Sequence, residues 1–193
     1  MKSNTNMVLT DEQLLQMGKL AKGEINTIYL HWTAGPYGHV YDDYHLCIGK
    51  DGEFDAPVGM MDLTMTLAHT WMRNSHSVGI AVEAARGAKI DRDGAINFGK
   101  YSPPTQAQIE GMARAVALIC CGAELPITKD TVMTHAEIAD MDGYGVNDND
   151  PDMRWDLLRL PNVVNMSGGD YIRRLANNYL TKIKKGGEKS GIK

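Results

Sequence analysis

The run Thr27-Ile28-Tyr29-Leu30-His31-Trp32, broken by Thr33-Ala34-Gly35-Pro36, decides how the rest of this chain is read. β-Branched and aromatic residues crowd the run and Gly-Pro closes it, so it predicts a strand that ends in a loop with His31 near its C-terminal end. Upstream, Thr10 followed by Asp11, Glu12 and Gln13 has the spacing of an N-cap with a capping box. Leu14, Leu15, Met17, Leu20 and Ala21 then recur at helical spacing until Gly23, predicting a first amphipathic helix. Downstream, residues 44–50, the turn dipeptide Asp51-Gly52 and residues 53–56 predict a strand pair.

Further along, residues 77–84 alternate and favour a strand. Thr105 opens a long helical pattern through Met112, Ala115, Val116, Ile119 and Cys120, and Pro103-Pro104 punctuates its entry. Residues 127–134 predict a strand that delivers His135 at its end, and residues 140–152 read as a polar surface loop. A last helix is expected over about 170–183. Strands alternating with helices predict an α/β layered domain over residues 1–183, followed by a flexible tail rich in Lys and Gly over 184–193.

Composition narrows the function classes. The chain has 193 residues, 43% hydrophobic and 23% charged, enough apolar material for one real core and too much for a disordered chain. Twenty Lys and Arg against 24 Asp and Glu leave a net charge of -4, which supplies no long-range attraction for nucleic acid or anionic lipid. Three Cys, two of them adjacent at Cys120 and Cys121, offer neither a disulfide framework nor paired C-x-x-C spacing, and read as buried thiols in a reducing compartment. The first ten residues lack an apolar leader and no run reaches the ~20 apolar residues of a membrane helix. The chain is therefore expected to be cytoplasmic as synthesised, to insert in no membrane, and to reach any outside substrate only after release.

Two of the six His end strand-like runs, His31 after Thr27-Ile28-Tyr29-Leu30 and His135 after Thr131-Val132-Met133-Thr134. A sheet can bring both imidazoles to one rim, where they either bind a metal or satisfy ordinary hydrogen bonds. Gly-rich phosphate loops and a Gly-x-Ser-x-Gly elbow are absent, which argues against nucleotide use and serine hydrolysis.

The segments His31-Trp32-Thr33-Ala34-Gly35, Tyr44-His45, Ser77-Val78-Gly79-Ile80 and Thr134-His135-Ala136-Glu137 occur in this order at domain-scale separations. As a set, over roughly residues 25–156, they resemble the zinc-dependent N-acetylmuramoyl-L-alanine amidases, the family that shares its fold with peptidoglycan recognition proteins and phage lysozyme-type amidases. The resemblance implies a mixed central β-sheet flanked by helices and a zinc ion held by two His plus an Asp or Cys, in a groove that takes muramyl peptides. It places the two His ligands on His31 and His135. For the third it favours Asp156, because Arg154-Trp155-Asp156 reproduces the family's basic residue two places before the ligand, with Arg for the commoner Lys. Asp150 of Asp150-Pro151 competes, although Asp148 then stands where the basic residue belongs.

Supporting roles follow from the same resemblance. Tyr44 matches a Tyr beside the zinc water of phage-type members, and Arg154 offers a fixed cation that cannot cycle a proton near neutral pH. In another branch a catalytic Glu follows the Gly-Ile of the third motif. Here that position is Ala81, a departure, and Glu83 two residues on shares its strand face, either reaching the groove or lying plainly at the surface. His69 matches a groove His that contacts substrate or packs. Trp32, Tyr37, Tyr41 and Trp71 are candidates for walls against a sugar or peptide stem, whereas Met60, Met61, Met65 and Met72 are expected to fill gaps. The activity implied is hydrolysis of the amide between N-acetylmuramic acid and L-alanine in peptidoglycan, by an enzyme of phage endolysin type. The alternatives are a non-catalytic peptidoglycan-binding module, a zinc peptidase cutting elsewhere in the stem, and a cytosolic amidase recycling anhydro-muramyl peptides.

Overall fold

The structure, a computed structural model, describes residues 6–91 and 94–190, with side chains described through 186. It is a mixed six-stranded sheet with helices on both faces. The strands are β1 (Asn6–Leu9), β2 (Thr27–Trp32), β3 (Leu46–Ile48), β4 (Phe54–Pro57), β5 (Ser77–Val82) and β8 (Val132–Thr134), in the order β1-β4-β3-β5-β2-β8. β2 is parallel to β5 and β8, with His31 opposite Ala81 and Leu30 opposite Thr134, while the β3–β4 and β1–β4 pairs are antiparallel. A short hairpin of β6 (Lys89–Ile90) and β7 (Ile96–Asn97) stands apart.

Period-two alternation sorts β2 onto two covered faces. Ile28, Leu30 and Trp32 point into the main core with Val78, Ile80 and Val82 of β5, under α1 (Asp11–Leu20), α2 (Gln106–Ala123) and α4 (Gly168–Ser190). Tyr29 points the other way, into a small cluster with Met133 and with Ile138 and Ala139 of α3 (His135–Asp142). The same opposite face carries His31. Thr10 and Thr105 cap α1 and α2 in capping boxes with Gln13 and Gln108. α1 meets α2 closely because Gly18 and Gly122 face each other: a Cβ on Gly122 would lie 2.4 Å from the Leu15 carbonyl oxygen.

Several expectations change. The polar N-terminal segment holds edge strand β1, and residues 140–142, expected in a loop, are the last turn of α3. The expected strand over 127–134 is ordered as β8 for its last three residues only, because Thr128 and Thr131 hydrogen-bond each other in a turn before it. α4 continues through Ser190, seven residues beyond the helix expected to end at 183; residues 191–193 lie outside the described residues. Of the four gap-filling methionines, Met60 is buried but Met61, Met65 and Met72 are exposed, because residues 58–72 run as turns over the end of the sheet rather than inside a layer.

Candidate metal centre and groove

The C-terminal ends of the parallel strands β2 and β8 open on one rim, the usual place for a ligand in a parallel sheet. His31 stands one residue before the end of β2 and is fully buried. His135 is the first residue of α3. Its position is fixed by the capping box of Thr134 and Glu137, whose carboxylate also receives Arg173 of α4 at 2.7 and 2.9 Å. Asp156 arrives on the segment after α3: Trp155 stacks edge-on against Trp32 at 4.8 Å, and the Asp156 carbonyl accepts the amide of Ala136 at 3.3 Å.

These three side chains converge. His31 Nδ1 lies 3.1 Å from His135 Nδ1 and 3.6 Å from Asp156 Oδ2, and the third edge, His135 Nδ1 to Asp156 Oδ2, is 3.4 Å. Ligands about 2.0–2.1 Å from a tetrahedral zinc ion stand about 3.3 Å apart, so the triangle has the dimensions of one face of such a site. Among the described residues this is the group of His, Cys, Asp and Glu able to hold a metal ion. Asp150, the rival carboxylate, instead accepts the amide of Asp152 at 2.7 Å.

Electrostatics suit the donor set. Burial pushes His31 down to about 4, more than Asp156 raises it, so the ring is neutral near pH 7. Burial opposes the Asp156 charge, yet the imidazoles of His135 and His31 beside it hold its carboxyl well below the ordinary range. The neutral ring of His31, the ring of His135 and the Asp156 carboxylate then converge as two nitrogens and one oxygen, a donor set that suits a divalent ion.

The other candidates fall at different distances from the triangle. The Tyr44 ring is 5.2 Å from that of His31, and burial, with Asp156, raises its hydroxyl so that it stays protonated. Tyr44, Trp32, Thr33, Arg154 and Asp156 line a cavity of about 370 Å³. It shares His69, His135 and Arg154 with a larger cleft of about 770 Å³ bordered by Trp71, Tyr144 and Asp150. Arg154 is exposed on the rim and donates to the carbonyl of Asp152. Trp71 is 65% exposed at the mouth, whereas Trp32 is buried at the floor. His69 lies behind His31, ring centroids 5.5 Å apart, hydrogen-bonded to Thr70 and Ser77. The structure does not bring Glu83 to this groove. It is fully buried beneath the loop that follows β2, accepts the Gly38 amide at 2.7 Å, and burial raises its carboxyl to about 7.

A sequence model of the family described as N-acetylmuramoyl-L-alanine amidase matches residues 21–152, more than half of the chain. The chain belongs to the N-acetylmuramoyl-L-alanine amidase family. The match spans His31 and His135 and stops four residues before Asp156, and the geometry brings all three together. A search of curated proteins gives no match. Membership implies peptidoglycan as the substrate, and among the described residues no helix is long and apolar enough to cross a membrane.

Three features escape the sequence reading. Thr70 Oγ1 contacts both His31 Nε2 and His69 Nδ1. Tyr144 borders the larger cleft with a buried hydroxyl that has no hydrogen-bond partner among the described residues. Arg73 clamps Asp142 through two contacts of 2.6 Å, tying the turn after Trp71 to the end of α3. The Thr-x-x-Glu spacing of Thr134 and Glu137 signals the start of α3, but lone Thr, Tyr and Arg residues carry no such local signal.

Proposed function

We propose that this chain is a zinc-dependent amidase of the lysis type, hydrolysing the bond between N-acetylmuramic acid and L-alanine in peptidoglycan. The observation that carries the reading is the triangle of His31, His135 and Asp156 at the junction of two clefts. These three side chains would hold the ion beside the groove that His135 and Asp156 line. Zinc bound there supplies a Lewis acid and an ionisable water near neutral pH.

The chain's own residues do the rest. Tyr44, kept protonated, offers a hydrogen-bond donor where a substrate carbonyl oxygen gains negative charge. Arg154 keeps a permanent positive charge on the rim and steadies the same oxygen or a carboxylate of the stem peptide. Trp71 presents a flat apolar face to sugar or peptide, and Trp32 with the edge of His69 forms the floor. Glu83, sealed under Gly38, anchors the loop after β2 in this reading and carries no proton to the groove. The Arg154-Trp155-Asp156 run, like that of phage-type members, supports the lysis assignment over fragment recycling.

The test is metal analysis and wall digestion on the wild-type chain and on His135→Ala, Asp156→Ala and Asp150→Ala. One zinc per wild-type chain is expected, with released peptides bearing a new alanine amine and glycan strands left intact. His135→Ala and Asp156→Ala lose both metal and release, and Asp150→Ala keeps the metal. Zinc-free protein that binds walls without releasing peptide would make the groove a binding module. Cleavage inside the stem would make the chain a peptidase, and a preference for soluble anhydro-muramyl peptides over intact walls would make it a recycling enzyme.

A further inference from the structure

Behind His31 runs a buried line of polar groups, Thr70, His69 and Ser77, whose hydrogen-bond directions follow from its far end. The Ser77 hydroxyl lies 2.9 Å from the carbonyl of Arg73 and 3.0 Å from that of Asn74. Carbonyls only accept, so the one Ser77 proton goes to them, and Ser77 Oγ must accept from its third neighbour, His69 Nε2, at 3.4 Å. His69 is buried and both its ring nitrogens face hydroxyls rather than carboxylates, so the ring is neutral and carries a single proton. With that proton on Nε2, Nδ1 is bare and accepts from the Thr70 hydroxyl at 3.0 Å. The Thr70 proton is then committed, and Thr70 Oγ1 accepts from His31 Nε2 at 3.3 Å. A neutral His31 with its proton on Nε2 has a bare Nδ1, the nitrogen that faces His135 and Asp156.

We propose that Ser77, His69 and Thr70 form a one-way hydrogen-bond relay that locks His31 in the tautomer able to bind a metal through Nδ1. Thr70 is thereby a positioning residue. The proposal deepens the metal reading given above and rests on it for its effect on affinity. Local packing is built around the relay. A Cβ on Gly79 would come within 2.6 Å of His69 Cγ, so glycine in this strand leaves the space in which the ring lies. The amide of Thr70 is fixed by Asn74 Oδ1 at 2.8 Å, which holds its hydroxyl between the two rings. Without the relay, the Asp156 carboxylate 3.6 Å from His31 Nδ1 would favour a proton on that nitrogen, the tautomer that cannot bind there.

The test reads tautomer and affinity separately. Long-range proton–nitrogen NMR correlations on the metal-free protein report which nitrogen of His31 is protonated, and competition with a chromogenic chelator reports zinc affinity. The wild type is expected to carry the His31 proton on Nε2. Thr70→Val, which keeps the shape and removes the hydroxyl, should mix the tautomers and weaken zinc about 10–100-fold, the usual range for a partner behind a metal ligand. Thr70→Ser should restore both readings. Ser77→Ala, which removes the direction cue at the far end, should also shift the His31 tautomer and serves if Thr70→Val does not fold. A wild-type His31 protonated on Nδ1, or unchanged tautomer and affinity in the folded Thr70→Val or Ser77→Ala protein, would overturn the relay. If the wild type binds no zinc, the metal reading fails by itself and the NMR experiment still decides the relay.

Discussion

The two faces of β2 are equally dry and differently equipped. Leu30 and His31 are adjacent and both fully buried, yet Leu30 packs into the apolar core whereas His31 has a polar partner at each ring nitrogen. Burial therefore does not separate core from site here; the partners do. The same contrast recurs within the polar face between Asp156 and Glu83. The imidazoles of His135 and His31 beside it hold Asp156 ionised, while Glu83 has backbone donors at Gly38 and His39, no partner among the described residues for Oε1, and Asp55 and Glu53 nearby, so burial raises it to about 7. The two carboxylates differ in what faces them, imidazole rings beside Asp156 and backbone amides with other carboxylates beside Glu83.

Four substitutions break or sharpen that contrast. The largest effect is expected from Asp156→Ala, which removes a ligand outright and should weaken zinc by more than the roughly 100-fold seen for partners behind a ligand. Chelator competition and wall-digestion rate should fall together, while the fold is retained by circular dichroism. On the opposite face, Leu30→Ala should cost about 2–5 kcal/mol in urea unfolding and leave zinc stoichiometry unchanged. Loss of metal in a folded Leu30→Ala protein would show that the faces are not independent.

Glu83→Gln tests the second carboxylate. Its folded value of about 7 exceeds its ordinary 4.5, so the folded state holds this proton more tightly than the unfolded chain. Stability from this group is full below about 4.5 and is lost as pH rises through about 7, on the order of 3 kcal/mol in all. The wild type should therefore unfold at lower urea at pH 8 than at pH 5, and Glu83→Gln should flatten that slope while digesting walls normally. A variant with the wild-type slope would place the titration elsewhere. The smallest change is expected for Trp71→Ala, whose exposed ring contributes within about 0.5 kcal/mol to stability but whose loss should raise KM for wall fragments.

Much of this architecture is legible in the sequence because its signals are local. The Thr10 capping box, the β-branched run ending at His31, the Asp51-Gly52 turn and the long α2 pattern each sit within a few residues. β1 is harder because it is four residues of an edge strand with one buried side chain, and α3 because its eight residues carry little amphipathic periodicity. At the site, the strand-end histidines stand out, and Asp156 stands out through the Arg-Trp-Asp run rather than through periodicity. Period-two parity puts Glu83 on the His31 side of the sheet, but the loop carrying Gly38 that covers it follows no periodic pattern. Thr70 and Ser77 are invisible for a deeper reason: hydroxyls are common, and what distinguishes these two is distances to rings far away in the chain.

The measurement closest to the central claim is a crystal structure of the zinc-loaded protein with anomalous diffraction collected at the zinc edge. The account predicts one strong peak about 2.0–2.2 Å from His31 Nδ1, His135 Nδ1 and Asp156 Oδ2, with the remaining vertex open to the groove. A peak bonded to Asp150 in place of Asp156, or no peak between the two imidazoles, would contradict it.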